Sequence, residues 1–190
     1  VFQRFERVTE EGISYSRPEN FASNDSYGAE IIGMATLSKW FNINGNVNFF
    51  RSVSEGDAYG KHYETDNYSW TSRLASKFTI AKGFDSQLAF NYQGKMNTLQ
   101  GTRLPSWTLD LALAKDVLKN KATITLNIRD LFNTRSHSFE TFGDNFYSKV
   151  DQRWGSTTVT LNFNYRINQQ KKRTPERKNM EGGEEGMMEF

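Results

Sequence analysis

The 190-residue sequence contains no cysteine, no long apolar run and little net charge. Because cysteine is absent, the chain has no disulfide framework and no thiolate metal site. No stretch approaches the roughly 18 consecutive apolar residues that a transmembrane helix requires, which excludes a helical span. The formal net charge of +2 is too small to indicate a nucleic-acid partner.

Sequence signatures of catalysis and metal binding are also missing. The chain contains no Gly-Xaa-Ser-Xaa-Gly elbow, no P-loop and no dinucleotide-binding fingerprint. Its two histidines, His62 and His137, have no second ligand at metal-binding spacing. Asp57, Glu64 and Asp66 do not follow the spacing of an EF-hand. We therefore expect a protein that is not an enzyme and that holds no metal or other cofactor.

The abundant residues indicate β-structure. Thr, Asn, Ser, Tyr and Phe are prominent in a chain whose mean hydropathy is -0.72, and such residues favour half-exposed strands. In residues 159–167, Val, Leu, Phe, Tyr and Ile alternate with Thr, Asn and Arg, which predicts a strand with one apolar and one polar face. Similar alternation predicts about eight strands, the others lying near residues 2–8, 27–37, 43–49, 70–80, 87–93, 107–114 and 122–129.

The connections between these strands alternate between short and long. Residues 38–41, 81–84 and 118–121 are predicted to form tight hairpin turns. Long polar loops are predicted for residues 54–67, 97–105 and 134–154, and for residues 8–26, with a small hairpin around Glu11, Gly12 and Ile13. Short turns at one end and long loops at the other are typical of outer-membrane β-barrels.

A soluble antiparallel sandwich would also have alternating strands. However, predicted strands of about ten to fourteen residues exceed the usual globular length of about five or six. Aromatic residues flank both kinds of connection, as interfacial girdles would: Trp40, Phe41 and Phe84 by short turns, and Tyr68, Trp70 and Trp107 by long loops. We therefore predict an all-β, antiparallel transmembrane β-barrel. Its polar face, toward the lumen, is predicted to hold Glu30, Arg73, Lys77, Asp110, Arg129 and Arg166.

Three segments resemble a known family. The run of residues 127–134, Asn-Ile-Arg-Asp-Leu-Phe-Asn-Thr, resembles a strand-end motif near the carboxy end of TonB-dependent receptors. As in those receptors, one long loop and one last strand follow it. Residues 18–20 and then 26–30 are similar to the segment that enters a strand in the same barrels, and residues 40–46 are similar to the periplasmic turn after it. Together they are most similar to the outer-membrane β-barrel family of Bacteroidota, Gram-negative relatives of these receptors.

The resemblance implies a barrel of about 22 strands, of which this chain would form the last third. It also implies an upstream plug and an upstream segment that engages TonB. Other implied partners are outer-membrane lipid, the barrel-assembly machinery and a surface lipoprotein. Residues 1–168 are predicted to form the barrel portion in the outer membrane, and residues 169–190 a disordered periplasmic tail. Because the chain begins with Val1, without a signal peptide, we expect it to be a fragment.

Ligand contacts are expected in the long loops, since binding residues concentrate on loops that a rigid scaffold holds. The side chains suited to stacking on a sugar, peptide or siderophore are Tyr59, His62, Tyr63, Tyr68, Arg103, Phe139, Phe142, Phe146 and Trp154. The function that the resemblance implies is TonB-dependent uptake of a large nutrient. Two alternatives remain: a small free-standing barrel or accessory structural subunit of an outer-membrane complex, and a soluble carbohydrate-binding sandwich.

Overall fold

The computed structural model describes residues 2–9, 11–20, 23–58, 60–153 and 155–167. These residues form three antiparallel sheets. No helix in these ranges is long and apolar enough to cross a membrane, a finding that concerns helical spans alone. The strands are β1 Phe2–Val8, β2 Ser14–Asn20, β3 Ser23–Ser38, β4 Phe41–Ala58, β5 Lys61–Ala81, β6 Phe84–Gln93, β7 Met96–Thr98, β8 Gly101–Arg103, β9 Ser106–Val117, β10 Ala122–Arg129, β11 His137–Phe142, β12 Tyr147–Gln152 and β13 Thr158–Tyr165.

The largest sheet, which we call the wall, has seven strands in the order β13-β10-β9-β6-β5-β4-β3. Every neighbouring pair is antiparallel, which confirms the predicted all-β, antiparallel class. The register places residues of like polarity in rows across the strands, because alternate residues of a strand share a face. One row is largely apolar and contains Gly45, Leu74, Phe90 and Leu109; the next row is polar and contains Asn46, Arg73, Asn91 and Thr108.

The three predicted tight turns are confirmed. Two-residue connections join β3 to β4 and β5 to β6. Gly83 in the second of these has a φ of 67°, a left-handed conformation that glycine adopts without steric cost. The turn between β9 and β10 contains three left-handed residues in succession, Leu118, Lys119 and Asn120. Its backbone is held by a hydrogen bond from Lys121 N to Leu118 O at 3.1 Å.

Two aromatic clusters lie on the apolar face. Near the short turns, Trp40, Phe41 and Phe78 stack with ring centroids 4.7–6.3 Å apart. We call the second group, near the long connections, the long-loop cluster; it consists of Phe49, Trp70, Tyr92, Trp107 and Phe132. Trp70 and Tyr92 are 4.2 Å apart in it, and Ser72 beside them is only 7% exposed. Ser72 interrupts the apolar alternation of β5, and its small side chain lies beside the contact between the Trp70 and Tyr92 rings.

The apolar face of the wall is exposed rather than packed into a core. Leu161, Ile31, Phe49 and Ile80 are among the large side chains that remain more than half exposed. In the part of the chain that the structure describes, Leu99 and Ala122 are the only buried hydrophobic residues. A sandwich would cover such a face with a second sheet. The exposure fits a face that contacts lipid and does not support the sandwich alternative.

The long connections contain more regular structure than the sequence predicts. The predicted loop at residues 54–67 is instead the continuation of β4 and β5 into a hairpin that pairs as far as Ala58 and Lys61. The predicted loops at 97–105 and 134–154 contribute β7, β8, β11 and β12 to a four-stranded sheet. Polar residues can sustain these strands because backbone hydrogen bonds, not an apolar core, hold them. The small hairpin around Glu11, Gly12 and Ile13 is confirmed, with Gly12 at a φ of 80°.

The sequence predicts a wall strand at residues 2–8, but in the structure these residues form β1, which pairs with β2 in a separate two-stranded sheet. The described wall therefore has seven strands, not eight. Glu6 N donates to Gln100 Oε1 at 2.7 Å, and Asn145 Nδ2 donates to Val8 O at 3.2 Å. These bonds attach the β1–β2 hairpin to the four-stranded sheet, and we call the two together the loop layer.

The wall does not close on itself. Strands β3 and β13 each pair with one neighbour only among the described strands. Neighbouring strands of an antiparallel sheet alternate in direction, so the first and the seventh strand of the wall run in the same direction. They cannot join as an antiparallel pair. The predicted tail at residues 169–190 lies outside the described residues, and the total of 22 strands stays a prediction.

Candidate functional site

Polar side chains form a hydrogen-bonded row across the polar face of the wall. Arg73 Nε donates to Asn91 Oδ1 at 3.0 Å, and Asn91 Nδ2 donates to Thr108 Oγ1 at 3.4 Å. On the other side of Arg73, Asn46 Nδ2 donates to Glu30 Oε1 at 2.5 Å. The row engages only Nε of Arg73 among the described residues. Its two Nη nitrogens are therefore left to bind other groups.

A tight turn after β10 directs the next segment toward this row. Asp130, with a φ of 53°, is 4% exposed. Its carboxylate accepts hydrogen bonds from Thr134 N at 2.9 Å, Thr134 Oγ1 at 3.2 Å and Arg135 N at 3.0 Å. Asp130 N donates to Asp110 Oδ1 at 2.7 Å. The run of residues 127–134 that resembles the receptor motif therefore ends a strand and fixes the path of the chain after it.

The ionisation of Asp130 supports this turn. Burial raises the pKa of Asp130, but the hydrogen bonds from Arg135 N, Thr134 N and Thr134 Oγ1 and the positive charge of Arg135 together lower it by more. The net pKa lies below the ordinary value of an aspartate, so the carboxylate is charged at neutral pH. Thr134 Oγ1 also donates to Trp107 O at 2.8 Å, which anchors the turn to β9.

A cavity of about 610 Å³ lies between the polar row and the segment that follows the turn. This volume falls within the range of about 300–1,000 Å³ that is usual for ligand sites. The row contributes Asn46, Arg73, Asn91 and Thr108, and the segment contributes Arg135, Ser136 and His137. Gln93 and Ser106 from β6 and β9 add further hydrogen-bonding groups. The site is therefore polar and combines residues from four wall strands with one connection.

Two cationic side chains line the cavity. Arg73 and Arg135 are permanently cationic, since a guanidinium is not deprotonated in proteins. None of the lining residues in the described ranges is acidic. No described carboxylate forms an ion pair with either guanidinium. By contrast, Lys77 on the same face lies 3.2 Å from Asp85. The arrangement can bind an anion by charge-assisted hydrogen bonds.

Two residues predicted for ligand contact, His62 and Tyr63, lie at the tip of the β4–β5 hairpin. His62 Nδ1 is 2.9 Å from Asp57 Oδ1, and this hydrogen bond raises the pKa of His62. Lys61 Nζ lies 2.5 Å from Asp144 Oδ2, which ties the tip to the loop layer. Tyr59, also predicted for ligand contact, lies outside the described residues.

Tyr68 lies on the opposite side of the wall from the cavity. It is paired with Arg51 in the register, two residues from Trp70 of the long-loop cluster. The guanidinium of Arg51 lies 5.5 Å from the ring centroids of both Tyr27 and Tyr68. Arg51 also forms an ion pair with Asp66 at 2.6 Å. This cluster lies where the apolar band ends and polar side chains begin.

The remaining predicted contact residues lie in the loop layer. Arg103 pairs with Phe139 between β8 and β11, and its Nε is buried without a hydrogen-bond partner among the described residues. Phe139 and Phe142 are exposed, at 38% and 50%, and the Phe142 ring lies 5.3 Å from Tyr147. Phe146 packs against Gly143 in the β11–β12 turn. Trp154 lies outside the described residues.

The structure does not bring the predicted contact residues together in one site, and none of those it describes lines the cavity. The sequence placed Arg73 on the polar face but gave no reason to single it out. Arg135 carries no motif of its own; its signal is its position directly after the strand-end run. Within the described ranges, no group of three or more His, Cys, Asp or Glu residues could hold a metal ion.

Comparison with known proteins identifies a family. The profile of the Outer membrane protein beta-barrel family matches residues 1–165. The comparisons with curated proteins and with solved structures found no match. The profile covers most of the chain and includes all seven wall strands. The exposed apolar face and the pairing of the wall agree with this assignment, and the chain belongs to the Outer membrane protein beta-barrel family.

Proposed function

We propose that this chain forms part of the wall of a TonB-dependent barrel that takes up a large nutrient across the outer membrane. In this proposal the apolar face contacts lipid, the barrel-assembly machinery inserts the wall, and TonB acts through residues upstream of it. The observation that carries the proposal is that β3 and β13, the edge strands of the wall, each have one partner among the described strands and run in the same direction. Strands from elsewhere must cover these edges, since a membrane does not tolerate unpaired backbone groups.

The polar face supports a wide lumen. The interior of an eight-stranded barrel is just filled by side chains, whereas larger barrels enclose a channel or a plug. Here the polar face carries long cationic side chains, among them Arg73 and Arg129, and a cavity of about 610 Å³. Such a surface needs water or a polar ligand opposite it. The loop layer at the end of the wall would then lie where a nutrient first meets the protein.

The alternative is a small free-standing barrel or an accessory structural subunit. One observation favours it: because β3 and β13 run in the same direction among the described strands, a single added antiparallel strand would close a barrel of eight. In an eight-stranded barrel one strand would separate β3 from β13, a distance of about 10 Å. In a much larger barrel these two strands would lie far apart. Cross-linking can therefore distinguish the two.

These 190 residues contain no cysteine, so two introduced cysteines are the only thiols in this part of the protein. Ile31→Cys with Phe163→Cys places one thiol on each edge strand, and Leu111→Cys with Ile128→Cys is a positive control across a paired position of β9 and β10. The full-length protein in its native membrane is treated with a bismaleimide that spans about 10 Å. We expect the control pair alone to cross-link. An Ile31–Phe163 cross-link within one chain would favour the small barrel.

Coupling to TonB is tested separately. Formaldehyde cross-linking of cells that express the tagged full-length protein is expected to capture TonB. A variant without the first residues of the mature protein, where a TonB-binding segment is expected, serves as the control. Equal recovery of TonB from both, or from neither, would contradict the uptake proposal while leaving the barrel intact.

A further inference from the structure

We infer that the cavity between Arg73 and Arg135 binds an anionic, hydroxyl-rich ligand, such as an acidic saccharide. The inference rests on the proposed uptake function and names the class of nutrient. Its basis is that two guanidinium groups from distant parts of the sequence line one cavity of about 610 Å³. One belongs to the middle of a wall strand, and the other belongs to a connection that a buried turn holds in place.

The charge of the cavity selects an anion. Two guanidinium groups near one space repel each other unless an anion lies between them. Two other cations of the polar face lie close to a carboxylate: Lys77 Nζ is 3.2 Å from Asp85 Oδ2, and Arg166 Nη2 is 3.5 Å from Asp116 Oδ1. Neither Arg73 nor Arg135 forms an ion pair with a described carboxylate. The charge of Arg135 acts on Asp130, but that carboxylate does not line the cavity and accepts hydrogen bonds from the backbone of Thr134 and Arg135. A carboxylate or phosphate can accept two parallel hydrogen bonds from each guanidinium.

The neutral lining selects hydroxyl groups on the same ligand. Asn46, Asn91, Gln93, Ser106 and Thr108 present amide and hydroxyl groups, which both donate and accept hydrogen bonds. An apolar anion, such as a fatty acid, would leave these groups without partners inside the site, at a cost of binding affinity. A saccharide that carries an acidic group would satisfy both the guanidinium groups and the neutral lining.

The backbone of Arg135 is held at the edge of the cavity, which favours binding over chance proximity. Its backbone N donates to the carboxylate of Asp130, and the neighbouring Thr134 is hydrogen-bonded to both Asp130 and Trp107 O. A group held in place before binding loses less conformational entropy when the ligand arrives. Asp130 is therefore the positioning residue for the backbone of Arg135, and the side chain of Arg135 extends from that fixed point.

The test uses purified full-length protein in detergent and isothermal titration calorimetry. Trigalacturonate is the acidic probe, maltotriose is the neutral probe of similar size, and glucose 6-phosphate tests phosphate in place of carboxylate. We expect an acidic probe to bind at least tenfold more tightly than maltotriose, with affinity that falls as salt rises. Arg73→Gln and Arg135→Gln should each weaken it about tenfold or more, because each removes charge-assisted hydrogen bonds.

Arg129→Gln is the matched control, since Arg129 lies on the polar face but does not line the cavity. It should leave the affinity within about twofold. A variant that fails to fold is recognised because its mobility in an unheated gel equals its mobility after heating. Arg73→Lys keeps the positive charge and should therefore retain part of the binding that Arg73→Gln loses. The site would be wrong if neither acidic probe bound more tightly than maltotriose, or if Arg129→Gln weakened binding as much as the cavity variants. Because binding requires no energy coupling, loss of TonB dependence would not change this result.

Discussion

A single arginine on the apolar face tests which side of the wall contacts lipid. Leu74 lies on β5, four residues from Trp70 and four from Phe78, and is 39% exposed. Leu74→Arg would place a guanidinium on the apolar face midway between the two aromatic clusters. Ala75→Arg would place the same group one residue further along, on the polar face. The two variants place the same charge on opposite faces of the wall, at almost the same depth in the membrane.

The expected magnitude follows from the geometry of β5. Trp70 and Phe78 are eight residues apart, which is about 27 Å along a strand and about 20 Å in height at a tilt of about 40°. This height is close to the apolar band of about 25 Å in outer-membrane barrels. Leu74 therefore lies about 10 Å from either boundary, where arginine on the lipid face costs about 2–4 kcal/mol. Near the boundary, Ile80→Arg should cost about 0–1 kcal/mol.

The free energy of unfolding is measured by urea titration of the full-length protein refolded in lipid vesicles, followed by tryptophan fluorescence and by mobility in unheated gels. Leu74→Met controls for lost packing, because it nearly conserves volume and should cost less than about 1.5 kcal/mol. We expect Leu74→Arg to be the most destabilising substitution of the series. If Ala75→Arg cost as much as Leu74→Arg, the assignment of the two faces would be wrong.

Three further predictions concern the turn, the hairpin tip and the loop layer. Asp130→Asn replaces a charged acceptor of three hydrogen bonds, so it should lower the free energy of unfolding by about 1–3 kcal/mol in the same urea assay. Asp57→Asn should lower the pKa of His62 toward its ordinary value in an NMR titration, because the hydrogen bond to Asp57 is the main cause of the raised pKa. Gly101→Ala should separate β8 from β11, since a Cβ there would overlap Glu140 O, and hydrogen exchange should rise in the loop layer alone.

Each of these has a defined contrary result. The turn argument fails if Asp130→Asn is as stable as the parent protein at neutral pH, where a lowered pKa keeps Asp130 ionised. The ion pair between His62 and Asp57 stabilises the hairpin at pH values below the ordinary histidine pKa of about 6.5, and this stabilisation is lost as pH rises through the raised pKa of His62. If His62 titrated identically in Asp57→Asn, Asp57 would not be the cause of the raised pKa. Gly33→Ala is the control for Gly101→Ala, because a Cβ at Gly33 meets nothing within 4 Å. Equal effects of the two would refute the steric argument.

The strands of the wall could be predicted from sequence because their cause is local. Alternation in residues 159–167 reflects a period of two that does not depend on neighbouring strands. The turns at 81–84 and 118–121 were predictable for the same reason, since glycine and asparagine adopt left-handed conformations. The loop predictions at 54–67 and 134–154 differed from the structure because polar sequences also form strands when their backbone groups find partners.

The candidate site was less predictable. Aromatic loop residues such as Phe142 and Tyr63 were selected for their chemistry, but the fold places them in different regions. Whether a given cation forms an ion pair depends on which residues of the neighbouring strand lie within its reach. Lys77 has Asp85 as a partner, whereas Arg73 has Asn91, and no local pattern distinguishes the two cases.

The sequence by itself determined that this chain forms long antiparallel strands with one apolar and one polar face, joined by short turns at one end. Those properties follow from strand period and turn chemistry, which act over a few residues. Only the tertiary structure decided the register that aligns Arg73 with Asn91, the turn at Asp130 that brings Arg135 above them, and the unpaired edges β3 and β13. These depend on pairing between residues far apart in the chain, and the free energy of that pairing is shared by whole strands rather than by single positions.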